Sequence, residues 1–204
     1  DLNNSSIMNN TISGDYSQGG GIYINSASPS FNNCIIEDNL VYDDGGGWSR
    51  GYGGGVYATH SNSVFTDVVF HSNEVYNRTN DSYSDPHSYG GGLYINDGNI
   101  QLLNCSITNN RVYTDDEHSN GNSVGEPRGG GIYHINGTLT MVDTEVSGNI
   151  VDWDGYNHDY RGGGIYTIDG NLNITNSTIV NNELQGFYKD ASGDVSVNSC
   201  IIWG

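Results

Sequence analysis

Apolar residues are sparse along this chain, yet they fall in strict register. Short stretches such as Ile100/Leu102, Leu139/Met141 and Leu172/Ile174 are apolar at every second residue. That period sends alternate side chains to opposite faces of an extended chain, and so predicts strands with one buried face. Each stretch lies a fixed distance after a glycine triplet. The triplets open the segments 19–23 (Gly-Gly-Gly-Ile-Tyr), 53–57 (Gly-Gly-Gly-Val-Tyr), 90–94 (Gly-Gly-Gly-Leu-Tyr), and 129–133 and 162–166 (both Gly-Gly-Gly-Ile-Tyr). Self-similarity at 33 to 39 residues marks a stacked repeat architecture.

Positions can be counted from the third glycine of each triplet: Gly21, Gly55, Gly92, Gly131 and Gly164. Position 10 then holds Phe31, Phe65, Leu102, Met141 and Ile174, and position 15 holds Ile36, Phe70, Ile107, Val146 and Ile179. Position 20 holds Val41, Val75, Val112, Val151 and Leu184, and position 18 is asparagine every time: Asn39, Asn73, Asn110, Asn149 and Asn182. A partial first repeat keeps Leu2, Ile7, Asn10 and Ile12 in register. A partial last one, counted from Phe187, supplies Val197, Cys200 and Ile202. Short strands, turns at fixed places and a stacked repeat predict an all-β parallel β-helix (a solenoid) of about seven coils. Each coil would pair with its neighbours at about 4.8 Å.

The position-18 column is expected at a turn, its amides bonding from coil to coil while tolerating a left-handed backbone. Position 12 (Asn33, Asp67, Asn104, Asp143, Asn176) reads as a second turn ladder rather than a binding row. The glycines serve the backbone and do not cradle phosphate, since no Lys-Ser/Thr follows them. Cys34 and Cys105 share position 13 two coils apart, about 9.6 Å, too far for a disulfide. The three cysteines are therefore expected as free, buried thiols acting as small hydrophobes.

Length varies in one place only, between position 21 and the next triplet: 14–18, 43–52, 77–89, 114–128 and 153–161. These segments predict lateral loops on one edge, the usual place for binding in repeat proteins. They carry Trp48, His87 and His118, and tyrosines bracket them. Tyr57, Tyr94 and Tyr133, with Tyr23 and Tyr166, should form an outward aromatic column that either meets sugar faces or is covered by the loops folding back. These residues (Tyr57, Tyr94, Tyr133, Trp48, His87, His118) are the expected ligand-binding set.

Charge narrows the partners. The 204 residues carry 24 acidic and 6 basic side chains, a formal net charge of −18. Nucleic acid needs Lys/Arg clusters and is not expected as a partner, nor is an anionic membrane surface. No apolar run approaches the roughly 18 residues needed for direct membrane insertion. Acidic residues suit divalent cations, and Asp152, Asp154, Asn157 and Asp159 around Gly155 resemble a calcium loop in their alternating oxygen donors. A zinc site at His87, His118 and His158 has no fixed geometry. A Glu37–His71 pair at position 16 reads as a surface contact. Among the Asn-x-Ser/Thr sequons, Asn77 and Asn80 are the expected glycan acceptors because they fall in a long loop.

The pairing of Gly-Gly-Gly-[Ile/Val/Leu] with a later [Phe/Ile/Val]-x-x-Asn resembles the polymorphic outer-membrane protein repeat of autotransporter adhesins. Its second halves here include Ile36-Glu37-Asp38-Asn39, Phe70-His71-Ser72-Asn73 and Ile107-Thr108-Asn109-Asn110. Only one repeat carries Phe at that point. The end, Asn198-Ser199-Cys200-Ile201-Ile202-Trp203-Gly204, is similar to a segment of large secreted proteins of the pectate-lyase-like right-handed β-helix class. The resemblance implies a right-handed β-helix and leaves function open, because that fold hosts lyases, hydrolases and adhesins alike.

The resulting expectation is one β-helix domain over 1–204, open at both ends and part of a longer chain or fibre. It would serve outside the cell or on its surface as an adhesin or structural element, with the acidic aromatic loops as binding face. Its partners would be the rest of its own chain or identical subunits end to end, and surface glycans or proteins. The alternative is a carbohydrate-active enzyme, a polysaccharide lyase or glycoside hydrolase; the strands offer no clustered carboxylates for one.

Overall fold

The alternating apolar positions do form strands. The computed structural model describes residues 1–43, 49–79, 86–116, 125–154 and 160–203, and all regular structure among them is β. The strands build four sheets of twelve, seven, five and three strands, and each strand pairs in parallel with the equivalent strand of the adjacent repeats. The register is the one counted from the glycines: Phe31 opposes Phe65, Phe70 opposes Ile107, and Val75 opposes Val112.

Four backbone positions in each repeat are left-handed. One is the first glycine of the triplet, and the others are positions 5, 12 and 17. Position 17 is Asp38, Ser72, Asn109, Gly148 and Asn181, with φ between 51° and 65°. The position-18 asparagines are thus not themselves left-handed, as the sequence suggested; the residue before each of them is. That twist turns the asparagine inward, where Asn39, Asn73, Asn110 and Asn149 are fully buried.

Inside, they form a ladder. Asn73 Nδ2 donates to Asn110 Oδ1 at 3.0 Å and to Ile36 O at 2.8 Å. Its Oδ1 accepts from both the backbone N and Nδ2 of Asn39. All four hydrogen-bonding capacities of the side chain are filled, and the pattern recurs from Asn10 to Asn182. The third glycine stands against this ladder: a Cβ on Gly92 would lie 2.7 Å from Gly131 O and 3.1 Å from Asn110 Nδ2.

Position 13 repeats the device with thiols and hydroxyls. Cys105 Sγ donates to Phe65 O at 3.4 Å, and Thr144 Oγ1 bonds to Leu102 O at 3.2 Å. The three cysteines are free, as expected, but they act as hydrogen-bond donors rather than as plain hydrophobes, and Cys200 is only partly buried. The last repeat also needs a correction. Phe187 opposes Ile165 and so stands at position 1, with Gly186 at the origin. Val195 then opposes Leu172, which places one extra residue between Asp190 and Val195.

The main core runs through positions 1, 3, 10, 13 and 15, joined at position 8 by Ile100, Leu139 and Leu172. The valines at position 20 leave it and form their own cluster, Val41, Val75 and Val112. They face strands formed by the ends of the variable segments, Tyr16–Gln18, Arg50–Tyr52 and His87–Tyr89. A Cβ on Gly51 would meet Val75 Cγ1 at 2.6 Å, and Ser88 Oγ bonds to Thr114 Oγ1 at 2.8 Å. The variable segments are therefore not loops throughout: in the first three the chain leaves on one strand and returns on another packed against it, and in the last two it returns through single bridges at Arg128 and Arg161, forming a lateral lobe.

Removing one rung of the ladder strands buried donors and acceptors on both sides. Asn110→Ala should cost about 3 kcal/mol in a denaturant melt. Cys105→Ser keeps a donor toward Phe65 O and should stay within about 1 kcal/mol of the parent protein.

Candidate functional site

The strand after each triplet alternates inward residues at positions 1 and 3 with outward tyrosine at position 2. Parallel in-register pairing then forces tyrosine over tyrosine at one strand spacing. Tyr23, Tyr57, Tyr94, Tyr133, Tyr166 and Tyr188 form one column, with centroid separations of 5.2, 5.0, 5.2, 5.2 and 5.5 Å and interplanar angles from 2° to 11°.

The returning strands lie over this column. Tyr52 meets Tyr94 edge-on at 5.0 Å, and Tyr89 stacks on Tyr133 at 4.5 Å. Tyr57 and Tyr94 are each 8% exposed and Tyr133 is 5% exposed, so their faces are taken by one another and by the lobe; Tyr23 remains 52% exposed. Of the two roles open to these rings, the geometry matches the one in which the segments fold back.

Arginine continues the covering row. Arg128 and Arg161 stand three residues before their origins, as Tyr52 and Tyr89 do, and join them through parallel bridges. Arg128 sits 5.1 Å above the Tyr166 ring and donates Nη1 to its Oη at 3.1 Å. Arg161 lies 5.0 Å over Tyr188 and donates to its hydroxyl.

A chain of polar groups crosses the seam. Tyr89 Oη lies 2.8 Å from His87 Nδ1 and donates to Glu126 Oε2 at 3.3 Å. Glu126 takes Arg128 Nη2 at 3.1 Å, and Tyr166 Oη donates to Asp190 Oδ2 at 2.7 Å. Burial pushes the Tyr133 phenol up to about 12 and raises Tyr89, Tyr94 and Tyr166 as well. These groups are hydrogen-bond donors at neutral pH and do not serve as bases.

The lobe has a second aromatic face. Tyr42 stacks on Tyr76 at 5.3 Å, Tyr113 meets Tyr76 at 5.2 Å with its ring tilted by 36°, and Arg111 covers the Tyr113 ring at 4.3 Å. Arg111 also bonds Glu74 at 3.2 Å and Asp152 at 2.8 Å. Tyr76 Oη donates to Asp115 at 3.1 Å, and its phenol is pushed up to about 12, first by desolvation and then by that carboxylate.

Of the expected ligand set, Tyr57, Tyr94, Tyr133 and His87 come together at the seam, while Trp48 and His118 lie outside the described residues. The expected calcium loop begins as a strand, Ile150–Asp154, in which Asp152 is already committed to Arg111 and Asp154 is exposed. Asn157 and Asp159 lie outside the described residues, and among those described no three His, Cys, Asp or Glu side chains gather as a metal site. His71 bonds Thr108, not Glu37. Asn77 is buried, with Nδ2 given to His87 O at 2.6 Å, so it cannot take a glycan in the folded protein.

Sequence reasoning missed Tyr188 and Asp190 because it placed the last origin one residue late, and missed Glu126 because it sits in a stretch of irregular length. Three-residue spacing before the origin was a usable signal for Arg128 and Arg161. Compared with family models, curated proteins and solved structures, the chain matches none.

Phenols held protonated by burial stabilise the fold below their ordinary pKa of about 10, and that stabilisation is lost as pH rises through their folded values. A spectrophotometric titration at pH 11 should show fewer phenolates in the folded protein than in urea. The melting temperature should fall steeply between pH 10 and 12.

Proposed function

We propose that this chain is a section of a right-handed parallel β-helix of about seven coils, a display scaffold that works at the cell surface or outside the cell as an adhesin or structural element. The lobe is its binding face, and surface glycans or proteins are its partners. One observation carries the reading: apart from one extra residue in the last repeat, the repeats differ in length at one point, and the ends of the variable segments pair with their neighbours by strands or, at Arg128 and Arg161, by single bridges. A frame of that kind holds variable tips in fixed positions. The excess of acid over base fits a partner approached through aromatic edges and hydrogen-bond donors rather than through a polyanion's charge.

The carbohydrate-active alternative draws on the His87, Tyr89 and Glu126 cluster. A protonated phenol braced between the other two groups suits holding a hydroxyl-rich ligand better than proton transfer.

Replacing 79–86 by a two-residue Asn-Gly turn shortens one lobe strand pair and leaves the ladder intact. Retention on glycan-coated and matrix-protein-coated beads should drop at least tenfold with the melting temperature little changed. Equal retention by the shortened protein, or none by the parent, defeats the reading. New reducing or unsaturated ends released from polysaccharides would favour the enzyme instead.

A further inference from the structure

His134 is where the position-3 column turns from apolar to polar, with Thr167 and Lys189 following it. Position 3 is held by Ile24, Ala58 and Ile95 in the preceding repeats, all buried, and His134 itself is 0% exposed. Nδ1 lies 2.9 Å from Thr167 Oγ1, whereas Nε2 is buried with no hydrogen-bond partner. The ring lies against the backbone of Gly170, where a Cβ would come within 2.3 Å of Cε1.

No counter-ion stands ready for a protonated ring. The charged groups on the neighbouring elements are engaged elsewhere. Asp97 faces His60 at 3.8 Å and accepts from Gly98 N, Asp169 accepts from Ser192 N and Oγ, and Lys189 donates to Ala191 O. Burial pulls the imidazole down to about 4, with the Asn136 backbone opposing only in part.

The residue before it gives this position reach. Tyr133 points to the opposite face of the same strand, Ile132–Ile135, and bears Tyr89 of the lobe at 4.5 Å. We propose that His134 is an acid-sensitive latch: protonating it expels the strand Ile132–Ile135 from the core and thereby frees the lobe strand His87–Tyr89 packed on its other side.

A charged imidazole cannot stay at a fully buried position without an acceptor for Nε2–H, and the lysine two places along the column, Lys189, offers none. Its nearest route to water is the exposed turn at Asn136, and that movement takes Tyr133 with it. The latch operates whether or not the lobe binds a partner.

Hydrogen exchange on the whole chain, corrected for intrinsic rates, reads both halves of the device. Between pH 7 and 4.5 the opening of 132–137 should rise on the order of a hundredfold, and 87–89 should open with it. His134→Ile and His134→Thr, which install the residue types found at Ile95 and Thr167, should abolish that rise. The Thr variant serves if the Ile variant does not fold. An unchanged parent protein, variants that open as much as the parent, or 87–89 staying protected while 132–137 opens would each overturn the latch.

Discussion

In-register parallel pairing is the constraint on which everything else in this molecule depends. It sets each side chain directly over its counterpart one strand spacing away, so a residue type is acceptable only if it can stack on itself. Asparagine meets that condition inside the protein because one amide both donates and accepts, and Asn39, Asn73, Asn110 and Asn149 fill every capacity this way. Tyrosine meets it on the outer face, with ring on ring at 5.0 to 5.5 Å. A column of aspartates would repel itself. Where acids enter the exposed position-12 turn they alternate with asparagine, and Asn104 donates to Asp67.

The same constraint decides where the chain can vary. An extra residue within a stacked strand would shift every later side chain to the wrong face. Insertion is harmless where the chain has left the stack, and the variable segments do so beyond the ends of their departing strands, such as Glu74–Thr79 and Arg111–Asp116. The single extra residue of the last repeat sits between Asp190 and Val195, in a corner rather than a strand. Because the departing and returning strands both stay paired, the lobe inherits the order of the scaffold. Its valine cluster and its Ser88–Thr114 bond belong to a second, smaller interior.

Much of this was legible because glycine and asparagine mark the register so sharply. Strand positions, free cysteines, the asparagine ladder and the single edge of variation all follow from counting. What escaped depended on geometry that counting does not contain. The left-handed residue precedes each asparagine, a distinction of one position that decides which way the amide points. The ends of the variable segments look like loops by composition, yet Arg50, Tyr52, His87 and Tyr89 are strand residues held by partners in the neighbouring repeats. Asp152 looked available to a cation until Arg111, a full repeat away in sequence, was found against it. His134 passed unnoticed because a lone histidine has no pattern; only its burial sets it apart.

The most direct measurement is side-chain amide exchange of the ladder asparagines by nuclear magnetic resonance. If stacking on this ladder holds the repeats together, the Nδ2 protons of Asn39, Asn73, Asn110 and Asn149 should exchange as slowly as the most protected backbone amides. Exchange at the rate of a free asparagine side chain would contradict it.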